Sequence, residues 1–189
     1  GKWHNGIRAF ARSFNTGAEI FFGGMSDHWN VPAYDYDPTG EYPSSPKIDN
    51  PGISNKVTWR RCGHINAGKH SSDLFADAAV DFLENERGDE PFFAYISFMA
   101  PHDPRSMPEK FLKMYAPEEI SLPENFMPEH PFDNGWMSGR DEILAGFPRT
   151  EQEVRRHIAE YYAMISHLDD AIGRVLAKLA EKGVLENTI

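Results

Sequence analysis

Phe92-Phe93-Ala94-Tyr95-Ile96-Ser97-Phe98 runs directly into Met99-Ala100-Pro101-His102-Asp103-Pro104-Arg105. The first seven residues are almost wholly apolar and aromatic, show no helical spacing, and are entered through Pro91. That pattern predicts a strand buried on both faces, as in a parallel sheet covered by helices. The second seven form a loop stiffened by two prolines, with a histidine fixed between them. Ligands of open α/β sheets sit just beyond the carboxyl ends of strands. An imidazole held in a rigid turn there is a site candidate on position alone. The competing reading is a surface turn whose histidine merely faces water.

The chain's first residues, Gly1-Lys2-Trp3-His4-Asn5-Gly6, tip that balance. In an extended segment, residues two apart point to the same face. Lys2 and His4 would then present an ammonium and an imidazole side by side, and Gly1 and Gly6 would allow close backbone approach. Two adjacent donors of that kind suit an oxyanion such as sulfate or phosphate.

Proline placement divides the rest. Prolines crowd 32–51 and 101–148 and are absent from 52–90 and 149–189, so the two proline-free stretches should carry the main helices. In the first, Leu74, Phe75, Ala78, Ala79, Phe82 and Leu83 recur at helical spacing, with Ser71 or Ser72 as N-cap and Gly88 as the stop. In the second, Thr150 and Glu153 form a capping box. An apolar stripe follows through Val154, Ile158, Tyr161, Tyr162, Ile165, Leu168, Ile172, Val175, Leu176 and Leu179, until Lys182-Gly183. A short helix is expected from Pro108 to Tyr115. Short strands are expected in Glu19–Phe22 and Val57–Arg60. The segments 15–60 and 116–149 are long for loops and are expected to shape a pocket above the sheet.

With these pieces placed, the chain resembles the sulfatase family of the alkaline-phosphatase superfamily. The resemblance is carried by Gly1-Lys2-Trp3-His4, by the 91–98 strand with its Pro101-His102-Asp103-Pro104 turn, by the helix Asp73–Leu83, and by the long helix leading to Leu185-Glu186-Asn187-Thr188-Ile189. It implies an α/β fold in which an alkaline-phosphatase-like sheet is sandwiched between helices, incomplete in this chain. Residues 1–189 would be the central part of one catalytic domain. The implied activity is sulfuric ester hydrolysis on a sulfated small molecule or glycan. By resemblance Lys2, His4 and His102 are catalytic and contact the sulfate or the leaving oxygen, and Arg105 contacts a carboxylate or a second sulfate. A surface salt bridge is the alternative for Arg105.

The resemblance also implies a formylglycine nucleophile, made from a Cys or Ser in a Cys/Ser-x-Pro/Ala-x-Arg motif upstream of Lys2, and a divalent cation, calcium, held by ligands outside this chain. Cys62 in Arg60-Arg61-Cys62-Gly63-His64 lacks the downstream Pro and Arg and is not that precursor. The fragment alone is therefore expected to be inactive. An exported location, whether periplasmic, extracellular or lysosomal, is likewise an implication of the family; the chain itself carries no signal. A phosphodiesterase or phosphonate hydrolase of the same superfamily is the rival reading, and a non-catalytic binding or structural module is a third.

Composition fits the leading reading. The net charge of −10, from 19 basic and 29 acidic side chains, disfavours a nucleic-acid partner, which would select a basic face. An anionic substrate then requires a local cationic cleft, which Lys2, His4, His102 and Arg105 would supply. No run of about 18 apolar residues would span a membrane. Cys62, His64 and His70 have irregular spacing for zinc. His28, Trp29, Tyr34 and Tyr36 either stack on a sugar ring or pack their own loop down. Tyr161, Tyr162 and His167 read as core and interface groups.

Overall fold

The computed structural model describes residues 1–24, 26–42, 47–48, 57–58, 62–86, 90–139 and 141–189. Two helices dominate. α2 spans Ser71–Asn85 and α4 spans Glu151–Glu181. Between them in sequence lies α3, Glu109–Leu112, which starts after Pro108 within the 108–115 segment expected to be helical. α1, Ile7–Ser13, follows the left-handed Gly6.

The start of α4 follows its sequence signal. Thr150 Oγ1 accepts from the Glu153 N–H at 3.2 Å, and Glu151 and Glu153 place acidic charge on the positive end of the helix. α2 is capped one residue before the expected serines. The imidazole of His70 accepts the Ser72 N–H at 3.2 Å, doing what an Asp or Asn side chain does at this position. Ser71 and Ser72 are fully buried inside the first turn. Gly88, the expected stop, lies outside the described residues; the helix ends where the Glu86 N–H returns to the Phe82 carbonyl.

α2 and α4 pack along Ala76, Ala79 and Leu83 on one side and Ala171, Val175 and Leu179 on the other. Alanines at the contact let the two backbones approach closely: Ala76 and Ala171 are both fully buried there. The helical period is legible, and Val175 and Leu179 of the expected stripe lie in the seam, but five of its other large residues turn away from it. Tyr161, Tyr162, Ile165, Ile172 and Leu176 are 38–48 % exposed.

The strands are very short and form two separate two-stranded sheets. β1 (Pro32–Ala33) pairs antiparallel with β4 (His64–Ile65), and β2 (Lys47–Ile48) with β3 (Val57–Thr58). Bridges extend the first pair: Ile20 pairs with Tyr34, Phe21 runs parallel to Lys2, and the Lys2 N–H donates to the Ser97 carbonyl at 2.8 Å. Side by side, the segments lie in the order 97, 2, 21, 34, 64. Alternation along 20–22 assigns the two faces. Phe21 packs with Leu74 and Phe75 of α2 and with Met99, whereas Ile20 and Phe22 pack with Phe10 of α1 and with Tyr34. The sheet therefore has a helix on each side, the α/β arrangement expected. Segment 15–42 has little regular structure, yet it supplies Ile20, Phe21, Phe22, Val31 and Ala33 to the centre of the core.

One expectation needs correcting. Phe92–Phe98 forms no ladder, and Phe93 and Tyr95 are 78 % and 52 % exposed instead of buried on both faces. The segment lies at the edge of the described sheet, with the 1–3 segment bonded on one side. Apolar composition reports an affinity for cover and not the cover itself. Trp3 and Phe14 shield Tyr95 and Phe93 in part, and Phe98 alone reaches the core. Val57–Thr58 is a strand as expected; Trp59 and Arg60 lie outside the described residues.

The close α2–α4 seam makes a size prediction. Ala171→Leu should destabilise the protein by about 1–3 kcal/mol through overpacking. Urea unfolding of the variant should show a lower midpoint at unchanged slope; an unchanged midpoint would mean that the seam is looser than described.

Candidate active site

Lys2 and His4 are placed by the residue between them. The Trp3 indole packs edge-on against Phe10, Phe14 and Tyr95 at 5.6–5.9 Å between ring centres, and its Nε1–H donates to the Gly6 carbonyl at 2.8 Å. With Trp3 turned inward over α1, strand alternation sends Lys2 and His4 to the opposite side. His4 lies against Gly23, which adopts a left-handed φ of 71°. A Cβ there would sit 3.0 Å from the His4 ring, so glycine is required on both counts. Gly1 has a similar reason: its Cβ would meet the Ser97 carbonyl oxygen at 2.6 Å.

The Pro101–Pro104 turn comes to the same place. Burial lowers the His4 pKa, and the nearby charges of Lys2 and His102 lower it further. Burial also lowers the Lys2 pKa, against which Asp103 acts. Lys2, His4, His102 and Asp103 thus share one electrostatic neighbourhood at the edge where residue 2 pairs with residue 97. His102 is exposed, and its Nδ1 lies 3.0 Å from both the carboxylate and the backbone carbonyl of Asp103. Both oxygens can only accept, so Nδ1 carries the hydrogen and Nε2 is the free ring nitrogen.

Arg105 takes the alternative weighed for it. Its Nε donates to Glu160 on α4 at 2.9 Å, and Arg156 shares that carboxylate. A hollow of about 280 Å³ lined by Arg8, Arg12, Pro38, Thr39 and Glu41 shares no residue with the Lys2 group.

Beneath the turn lies a layer that sequence reasoning missed. His28, His70 and His167 are all at most 2 % exposed. The His28 and His70 rings are parallel with centres 5.0 Å apart, and the tilted His167 ring lies 4.5 Å from His70 between centres. His28 donates from Nε2 to the His102 carbonyl at 2.9 Å, and His70 from Nε2 to the Ser106 carbonyl at 3.0 Å. His28 is therefore no sugar platform, and His70 is bonded to backbone at both ring nitrogens. Of the four aromatics weighed for a sugar, His28 and Tyr34 are buried, and Trp29 meets His70 edge-on, so packing accounts for these three. The available signal was His70-Ser71-Ser72 at a helix start, with the histidine itself as the cap.

Cys62, His64 and His70 are not gathered. His64 binds Glu19 at 2.8 Å on the outer strand, and Cys62 packs beside the Tyr34 cluster. Among the described residues, one group has metal-ligand spacing: His70, Asp73 and His167, with ligand atoms within 4.8 Å of one another. It does not suit the expected cation. Calcium takes oxygen ligands, both nitrogens of His70 are engaged with backbone, and Arg174 stands 3.6 Å from the Asp73 carboxylate.

The family model described as Sulfatase matches residues 1–189. The chain belongs to the sulfatase family. It is 33% identical over 127 residues to an arylsulfatase of Clostridium perfringens, covering 64% of this chain and 25% of that protein. It is 30% identical over 191 residues to an ulvan-active sulfatase of Formosa agariphila, covering 100% of this chain and 30% of the relative. An iduronate 2-sulfatase of Mus musculus is 27% identical over 187 residues, 85% of this chain and 32% of its own. The chain thus spans about a quarter to a third of these relatives. Sulfatases are generally metal-dependent. No helix among the described residues is long and apolar enough to cross a membrane.

The buried imidazoles make stability acid-sensitive. His70 titrates at about 4 in the folded chain, against 6.5 unfolded, because of burial and the neighbouring His167 and His28, with Asp73 acting in the opposite sense. Between those pH values the unfolded chain binds the extra proton, so this stability is complete above pH 6.5 and is lost as pH falls towards 4. The loss should be on the order of 2–4 kcal/mol. Urea midpoints measured from pH 7 to 4.5 should fall in the native protein and fall less in His70→Gln. Parallel curves would contradict the assignment.

Proposed function

We propose that the complete protein hydrolyses sulfuric esters, with Lys2 and His4 binding the sulfate oxygens and His102 acting at the leaving oxygen. The observation that carries this reading is the convergence of Lys2, His4 and His102 on one edge, with Trp3 anchoring the first two from behind.

Attack at sulfur concentrates negative charge on the non-bridging oxygens and on the oxygen that departs. Fixed donors aimed at those positions lower the barrier because they need no reorganisation when the charge appears. Lys2 supplies a compact charge. His4 is neutral more often than an ordinary histidine, and the negative charge of an arriving sulfate ester favours its protonated form. His102 presents Nε2 because Asp103 holds Nδ1; protonated, Nε2–H would pass its proton to the alkoxide as the S–O bond breaks.

A sulfated glycan is the substrate class we favour. Its support is the relatives' names, one active on ulvan and one on an iduronate 2-sulfate. A phosphodiesterase would use the same donors, so paired assays on sulfate and phosphate esters decide between them; faster release of phosphate would overturn the sulfatase reading.

Two substitutions in the complete protein test the roles. Lys2→Ala should lower turnover of an activated aryl sulfate by about a hundredfold or more, as does removal of one oxyanion donor elsewhere. An unchanged rate would remove Lys2 from the site. His102→Ala should slow an alkyl sulfate more than nitrophenyl sulfate, because a poor leaving group depends more on the proton. Equal losses on the two esters would exclude His102 from the leaving oxygen.

A further inference from the structure

We infer that His28 and His70 are positioning residues for His102, two parallel imidazole struts that hang the 102–106 turn from the start of α2. The inference rests on the proposed role of His102 and extends it to side chains that never reach substrate.

Each strut has the same polarity. The His102 and Ser106 carbonyls can only accept, so His28 and His70 must both carry their hydrogen on Nε2. The other nitrogen of each ring then has to accept. His28 Nδ1 receives the Ser71 hydroxyl at 2.7 Å, and His70 Nδ1 receives the Ser72 N–H at 3.2 Å. The Ser71 N–H also binds the His28 carbonyl at 2.7 Å, so backbone and ring of His28 both register on α2. Adjacent residues of the helix are thereby relayed to carbonyls four residues apart in the turn. The rings lie parallel to within 2°, which fixes both anchor points in one direction. The first anchor is the carbonyl of His102 itself, the residue whose Nε2 must meet the leaving oxygen.

The arrangement works only with neutral rings. A proton added to His70 Nδ1 would face the Ser72 N–H, donor against donor, and would cost both the helix cap and the strut. Ser71 is more forgiving, since a hydroxyl can turn to accept.

The test uses the complete protein and reads the loop independently of catalysis. Amide exchange of His102, whose N–H donates to Met99, should accelerate about tenfold in His28→Leu, because local opening becomes easier. His28→Gln places an amide N–H near the lost Nε2–H and should restore slow exchange. In parallel, kcat for an alkyl sulfate should fall by about tenfold to a hundredfold in His28→Leu, with KM little changed and most of it regained in His28→Gln. In a His102→Ala background the His28→Leu loss should vanish, as it must if one acts through the other. Ser71→Ala, which only frees the tautomer, gives the same signs at smaller size should His28→Leu fail to fold.

Wild-type exchange and wild-type leaving-group dependence in a folded variant would overturn the inference. So would a His28→Leu loss that simply adds to that of His102→Ala, since that marks a merely structural residue. A loop that loosens and recovers as stated, in a protein releasing no sulfate, would uphold the struts while refuting the sulfatase reading.

Discussion

The structure depends on a backbone pairing only a few residues long. Gly1–Trp3 lies between Ser97 and Phe21, bonded to both through main-chain groups. That contact joins segments nearly a hundred residues apart and sets Lys2 and His4 beside the 101–104 turn. It requires a residue without a side chain at position 1 and a large ring at position 3. The first lets the strand approach Ser97, and the second locks the face from which Lys2 and His4 emerge. The grouping of Lys2 and His4 near His102 in a strongly acidic chain is therefore a product of strand register and not of overall charge.

Below that edge, the protein places three buried histidines where a purely apolar core would pack more simply. Neutral imidazole suits this layer because it offers one donor and one acceptor on opposite sides of a rigid ring. A carboxylate would need a charge partner, and an aliphatic chain could not hold carbonyls. The arrangement is not fully satisfied. Ser72 Oγ, Ser106 Oγ and His167 Nδ1 are buried without a hydrogen-bond partner among the described residues, at about 1–3 kcal/mol each. Polar groups left unpaired in a buried layer cost stability, so their presence beneath the 102–106 turn calls for a reason other than stability.

What could be read in the sequence was what local chemistry decides. Thr150–Glu153 marks the start of α4, Pro108 the start of α3, and the period of α2 its buried face. Strand alternation singled out Lys2 and His4 as candidates, and a proline-stiffened turn singled out His102. The failures were all tertiary. The Phe92–Phe98 run states a preference for burial, but its neighbours decide the exposure. On α4 two apolar lines run side by side, and only close approach by α2 selects the line of Ala171, Val175 and Leu179 over Ile165, Ile172 and Leu176. His28, His70 and His167 are separated by up to 139 positions, and nothing local marks three scattered histidines as one stack.

The most direct test of the central claim is a crystal structure of the complete protein with sulfate bound. The account places the anion within hydrogen-bond reach of Lys2 Nζ, a His4 ring nitrogen and His102 Nε2 together. An anion bound elsewhere, or Lys2 and His102 facing separate cavities, would contradict it.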